Sequence, residues 1–164
     1  MIELGVDFFV SSVLIEAEIW NRNLNKFSSL NMVFDTGASI TTIDTATIRR
    51  SGYNLKGVEE VSVAGIGSGK TLAKKIILNS LRLGGFDLGP VLIYAVDFPE
   101  EINTPALLGM NIIKEFKVTA DFQDRRSDGR DATIYLNPAF DINNRPSFEQ
   151  FIPSSSRFGV WAIG

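Results

Sequence analysis

Apolar and charged residues alternate through Val13-Leu14-Ile15-Glu16-Ala17-Glu18-Ile19-Trp20. Val13, Ile15, Ala17 and Ile19 fall on one side, and Glu16 and Glu18 on the other. A helix would scatter these positions around its circumference, so the stretch reads as a half-buried strand. Similar patterns predict strands over residues 58–64, 72–83, 91–97, 116–122 and 132–136. Leu83-Gly84-Gly85 and the run from Arg125 to Arg130 read as turns. The polar, Asn- and Ser-rich residues 21–30 read as a loop, followed by a short apolar run from Asn31 to Phe34. One short helix fits Gly109 to Glu115. Many short strands separated by turn signals predict an all-β sandwich or barrel.

The chain has 164 residues, enough for one domain with a real core. Residues 1–137 carry the strand pattern. Residues 138–164 differ: they contain Pro138, Pro146, Pro153 and a Ser154-Ser155-Ser156 run, and read as a tail or docking arm. The sequence contains no His and no Cys. That excludes a Ser-His-Asp triad, a thiolate nucleophile, a zinc finger and disulfides. Acid–base chemistry is left to carboxylates, Lys, Tyr or a bound cofactor, and the expectation is no metal site and no cofactor. A net charge of −3 gives nothing to attract nucleic acid. No apolar run approaches the roughly 18 residues that span a bilayer. Nor does the N-terminus resemble a secretory signal. The expectation is a soluble intracellular protein.

Two motifs compete for the chemistry. Ala64-Gly65-Ile66-Gly67-Ser68-Gly69-Lys70-Thr71 fits a relaxed phosphate loop, with amides cradling phosphates ahead of a helix. It needs 72–83 to be that helix, yet Lys74, Ile76 and Leu78 alternate as cleanly as they follow a helical stripe. A Gly-rich tip between two strands is equally a β-hairpin, in which Lys70 is a solvated charge. The second motif is Asp35-Thr36-Gly37-Ala38-Ser39, entered from the apolar Met32-Val33-Phe34. A strand that ends in a tight turn delivers a well-positioned carboxylate. Gly37 there permits close approach of a substrate or a second backbone.

Four features, in this order, resemble the single-domain, retroviral-type (retropepsin-like) aspartic proteases. Met32 to Ser39 matches the catalytic loop of that family, and Gly65, Gly67 and Gly69 fall where it has its flap hairpin. Leu81-Arg82-Leu83-Gly84-Gly85 with Val91 to Asp97 matches the strands after the flap. Pro105 to Phe116, through Leu107-Leu108-Gly109, matches the short helix behind the active site. The resemblance covers residues 12 to 137. It implies an acid-protease closed barrel with a flap hairpin and one short helix, active as a homodimer on a polypeptide substrate.

That chemistry needs two carboxyl groups sharing one proton around a water. The sequence has a single Asp-Thr-Gly, so the resemblance implies that Asp35 meets its copy across a two-fold axis. Thr36 is then the residue that locks the two loops, and Gly37 supplies backbone near the substrate. The implied substrate-binding set is Ala38, Ser39, Gly65, Ile66, Gly67, Leu107 and Leu108, with Ile66 closing over the peptide. The flap lacks the family's Tyr, which leaves room for a dimeric peptide-binding module without proteolysis. Asp97 and Asp121 read as loop caps or surface charges, Trp20 and Trp161 as packing anchors, and residues 124–131 as a solvated hairpin. Ala38 stands where pepsin-like relatives have a Ser whose hydroxyl favours the ionised dyad. The expected pH profile of kcat/KM therefore peaks in the weakly acidic to neutral range, and a maximum at about pH 2–3 contradicts this.

Overall fold

In the computed structural model, residues 1–9, 12–64, 69–123 and 126–150 are described. The N-terminal part contains β1 (Ile2–Phe9), β2 (Ser12–Asn21), β3 (Lys26–Phe34), β4 (Thr42–Asp44) and helix α1 (Thr45–Arg50). The middle contains β5 (Glu60–Ala64), β6 (Lys70–Leu78), β7 (Leu81–Leu83), β8 (Phe86–Asp87) and β9 (Val91–Val96). Then come β10 (Ala106–Leu108), helix α2 (Met110–Ile113), β11 (Phe116–Asp121) and β12 (Ala132–Pro138). All twelve strands join one sheet in the order β11-β12-β1-β2-β3-β10-β4-β9-β6-β5, with β7 branching from β2 and β8 from β7.

The alternation in β2 sets the interior. Ile15, Ala17 and Ile19 are buried while Glu16 is exposed. Along one edge β2 pairs with β3 from Leu14 to Asn21. Along the other it pairs first with β1, up to Ile15, and then with β7, from Ala17. Changing partners in mid-strand wraps the sheet around a core that includes Leu4, Val6, Met32, Ile43, Leu78, Ile93, Leu108 and Ile134. The sheet curls without closing: β11 and β5 remain as its two ends. The closed barrel expected from the sequence is corrected to this open sheet, and the single helix to two short α-helices.

Other departures have local causes. The 21–30 loop is a hairpin connection over 22–25, with the strand resuming at Lys26. Ser29 and Asn31 are exposed on the outer face of β3, while Lys26 and Ser28 share the face of the buried Leu30 and Met32. Cross-strand packing of Trp20 on Phe27 (5.3 Å, edge-on) and Arg82 over the Phe27 ring (3.6 Å) reinforce the pairing. Segment 72–83 divides into β6 and β7. In β6 Ile76 and Leu78 are buried in the main core with exposed Ile77 between them, and Ala73 faces the other side, in a small cluster with Val63 and Val96, so the segment is extended. A phosphate loop would need a helix there, and the strand removes that reading. Gly84 and Gly85 both have positive φ, at +52° and +80°, as a two-residue type I′ connection demands. At Gly84 a Cβ would also lie 2.7 Å from Ile2 Cγ2.

The segment around 124–131 is more than a solvated turn. Arg130 bridges Asp7 (2.6 Å) and Glu16 (3.1 Å), and Asp131 Oδ2 accepts the Phe8 N–H (2.9 Å). Asp124 and Arg125 lie outside the described residues, as does everything from 151 to 164, Trp161 included. Beyond β12 the described chain stays on the body. Phe116, Phe140 and Phe148 form a chain of edge-on rings at 5.7 and 6.4 Å. Phe148 makes a parallel bridge with Val91, and its carbonyl accepts the Leu92 N–H (2.8 Å).

Phe148 is only 4% exposed, whereas Ile142 is 61% exposed. Phe148→Ala is expected to cost about 3–5 kcal/mol in urea denaturation. Ile142→Ala should stay within about 0.5 kcal/mol of wild type.

Candidate active site

The placement of Asp35 follows from three strands. β10 runs parallel to β3 (Leu107 opposite Val33, Leu108 opposite Phe34) and antiparallel to β4 (Ala106 opposite Ile43). β10 therefore lies between the two strands that flank residues 35–41. The loop leaves β3, crosses the end of β10 and returns along β4. Its ends are tied down before any side chain contributes.

Hydrogen bonds then fix its course. The Asp35 N–H donates to Leu108 O (3.0 Å), and the Ala38 N–H to Asp35 O (3.3 Å). At the start of α2 the Met110 N–H donates to Ala38 O (2.7 Å), and the Asn111 N–H to Ser39 O (2.9 Å). Asn111 is buried, and its Oδ1 accepts both the Thr41 N–H (2.7 Å) and the Thr41 hydroxyl (2.8 Å). Thr41 Oγ1 in turn accepts the Gly109 N–H (3.0 Å), while Asn111 Nδ2 donates to Leu92 O (3.0 Å). No buried side-chain polar atom among the described residues lacks a partner. A satisfied buried network of this kind holds a single geometry.

Gly109 makes the contact possible. A Cβ there would stand 2.6 Å from the Ile40 carbonyl carbon and 2.7 Å from Thr41 N. Both are backbone atoms that cannot swing away.

The Asp35 carboxylate is half-buried, and its Oδ1 accepts the Gly37 N–H at 2.8 Å. Thr36 and Gly37 are exposed on the single chain. Asp35 opens into a cleft of about 450 Å³ walled by Phe9, Leu14, Val33, Ile102 and Leu107. Glu101 lies in the same lining. A cleft of similar size, about 470 Å³, lies beside Arg22 and Tyr53, where Lys75 and Glu59 pair at 3.7 Å. The chemistry-bearing carboxylate belongs to the first cleft. Among the described residues no group of three or more acidic side chains could hold a metal ion.

Of the residues singled out in the sequence, Asp35, Thr36, Gly37 and Leu107 come together at this opening. Ala38 and Ser39 are each 3% exposed and lie beneath the loop, contributing carbonyls to α2. Leu108 is fully buried in the core, and its carbonyl anchors Asp35. Gly65, Ile66 and Gly67 lie outside the described residues. Sequence reading missed Thr41 and Asn111, which look like ordinary polar residues until the fold buries them. It also missed Leu14 and Val33, whose facing follows from strand alternation once the core face is known. The 101–104 rim carries no motif at all.

The aspartyl protease family profile matches residues 20–112, more than half the chain. The chain belongs to the aspartyl protease family. Its fold is retropepsin-like. A retropepsin-like aspartic protease from Rickettsia conorii superimposes with a TM-score of 0.57 at 18% identity, covering 82% of this chain and 89% of that one. The retroviral protease-like domain of Ddi1 from Leishmania major gives a TM-score of 0.49 at 15% identity, covering 82% and 100%. No curated protein matches the sequence. The close approach at Gly109 leaves no room for a side chain beneath the Asp35 loop. Gly109→Ala should lower unfolding free energy by about 3 kcal/mol or more, read by chemical denaturation. Asn111→Ala should cost about as much, because it strands Thr41 and Leu92 backbone groups in the interior.

Proposed function

We propose that the protein is an aspartic endopeptidase in which Asp35 of two identical chains forms the catalytic dyad. The observation that carries this reading is the presentation of Asp35. A doubly anchored loop holds the carboxylate at the mouth of an apolar cleft, with Thr36 and Gly37 open to a second molecule. With one Asp-Thr-Gly in the sequence, the second carboxylate comes from a copy of the chain. Two carboxyls at about 3 Å cannot both be ionised, so the pair holds one proton.

In the reaction the ionised carboxylate takes a proton from the bound water as its oxygen attacks the scissile carbonyl carbon. The protonated partner donates to the carbonyl oxygen, giving a neutral tetrahedral diol. One carboxyl then protonates the departing nitrogen while the other carboxylate takes a proton from a diol hydroxyl, so the C–N bond breaks to acid and amine and the pair again holds one proton. Thr36 locks the two loops together, and Gly37 leaves room for the peptide backbone. Ala38 and Ser39 set the loop's depth, Leu107 walls the cleft, and Leu108 anchors Asp35 from the core.

Strands β5 and β6 are the arms of a hairpin whose tip carries Gly65, Ile66 and Gly67. In this reading the tip closes over the substrate, and the peptide adds as an extended strand. The protease domain takes residues 1–137, with the segment from 138 as a docking arm that seats Phe140 and Phe148 against the core.

Mass-spectrometric mapping of cuts in a complex peptide mixture tests this reading, with wild type and Asp35→Asn in parallel. Defined cuts should occur with wild type and vanish in the variant. Specific activity should fall on dilution below the dimer dissociation constant measured by analytical ultracentrifugation. Peptide binding by folded dimer without any cut at pH 4–8 would replace the protease by a peptide-binding module on the same fold.

A further inference from the structure

The cleft beside Asp35 has a charge pattern that bond cleavage itself does not require. Its walls are aliphatic at Leu14, Val33, Ile102 and Leu107, and its two charged side chains, Asp35 and Glu101, are both carboxylates. Most acidic side chains on the sheet are neutralised nearby. Asp7 and Glu16 meet Arg130, Glu18 meets Arg82, and Glu59 and Glu60 meet Lys75 and Lys74. Glu101 is exposed and has no such cation among the described residues.

Its position is also fixed from both sides. Glu101 sits in a turn closed by the Ile102 N–H donating to Pro99 O (3.0 Å). Before the turn, the Phe98 N–H donates to Asp44 Oδ1 (3.0 Å). After it, the Asp44 N–H donates to Pro105 O (2.8 Å). Ile102 packs against the small cluster of Val63, Ala73 and Val96 at the foot of the β5–β6 hairpin. The carboxylate is thus carried to the cleft rim by an anchored turn.

We propose that Glu101 selects substrates with a lysine or arginine beside the scissile bond, an inference that rests on the proteolytic reading of Asp35. A side chain with an aliphatic stem and a cationic head matches this lining: the stem lies along Ile102 and Leu107 while the head meets Glu101. An aliphatic side chain of equal length makes the wall contacts and forgoes the charge pair. An acidic one is repelled by Glu101 and by the dyad, which gives discrimination by exclusion as well as attraction.

The test uses a peptide cut by wild type, resynthesised with Lys, norleucine or Glu at each of the two positions on either side of the bond. Wild type should show kcat/KM about tenfold higher for Lys than for norleucine at one position, equivalent to about 1.4 kcal/mol. Glu101→Gln should bring the Lys-to-norleucine ratio down to about one, and Glu101→Lys should favour Glu. Asp35-dependent cleavage with the same Lys-to-norleucine ratios in wild type and Glu101→Gln overturns the proposal while leaving the protease intact. If no peptide is cut, the protease reading fails. The charge preference is then read by fluorescence anisotropy of labelled Lys and norleucine peptides on wild type and Glu101→Gln. A Lys preference confined to wild type upholds the role of Glu101, and equal affinities overturn it.

Discussion

The buried amide of Asn111 joins the two halves of the site. Its oxygen takes both donors of Thr41, on the strand-ward end of the Asp35 loop, and its nitrogen reaches Leu92 in β9. Each bond contributes only about 1 kcal/mol net, but a broken one leaves a buried polar group costing about 1–3 kcal/mol. The loop, the helix behind it and the neighbouring strand therefore form or fail together. Position adds to this. With β10 threaded between β3 and β4, the loop has strands on both sides and α2 underneath, so the carboxylate at its turn inherits the rigidity of the core.

The cleft itself is built differently. Asp35 rises from the main core, but the opposite rim, through Ile102, packs on the separate small cluster of Val63, Ala73 and Val96. That cluster also seats the base of the β5–β6 hairpin. The rim and the hairpin therefore share one small cluster, separate from the main core beneath Asp35. On the near side the aromatic wall is set electrostatically. Asp131 holds the Phe8 backbone and Arg130 clamps Asp7 to Glu16, keeping Phe9 at the cleft and Phe8 against Phe122 (5.8 Å).

Much of this was legible from local pattern. Alternation found the inward face of β2 and the extended character of β6, and Asp35-Thr36-Gly37 marked the loop. The errors came where composition and context disagreed. Residues 26–30 look like loop because Ser28 and Ser29 are polar, yet pairing with β2 makes them strand, with Ser29 on the outer face and Ser28 on the face of Leu30. β1 went unrecognised. Its alternating burial, with Ile2, Leu4 and Val6 inward, becomes plain only with β12 beside it.

Side-chain chemistry and its order along the chain were the sequence's own contribution. The lack of His and Cys left carboxylates, Lys and Tyr as the acid–base groups, and a single Asp-Thr-Gly marked one candidate carboxylate per chain. Those conclusions depend on composition and motif, which need no coordinates. Tertiary structure decided what surrounds that carboxylate. Asn111 becomes a clamp, Gly109 a point of backbone contact and Glu101 part of the cleft only when residues distant in sequence share a few ångströms. Periodicity reports which face of a strand is apolar. It carries no information about which strand comes next to it, and in this fold that adjacency makes the site.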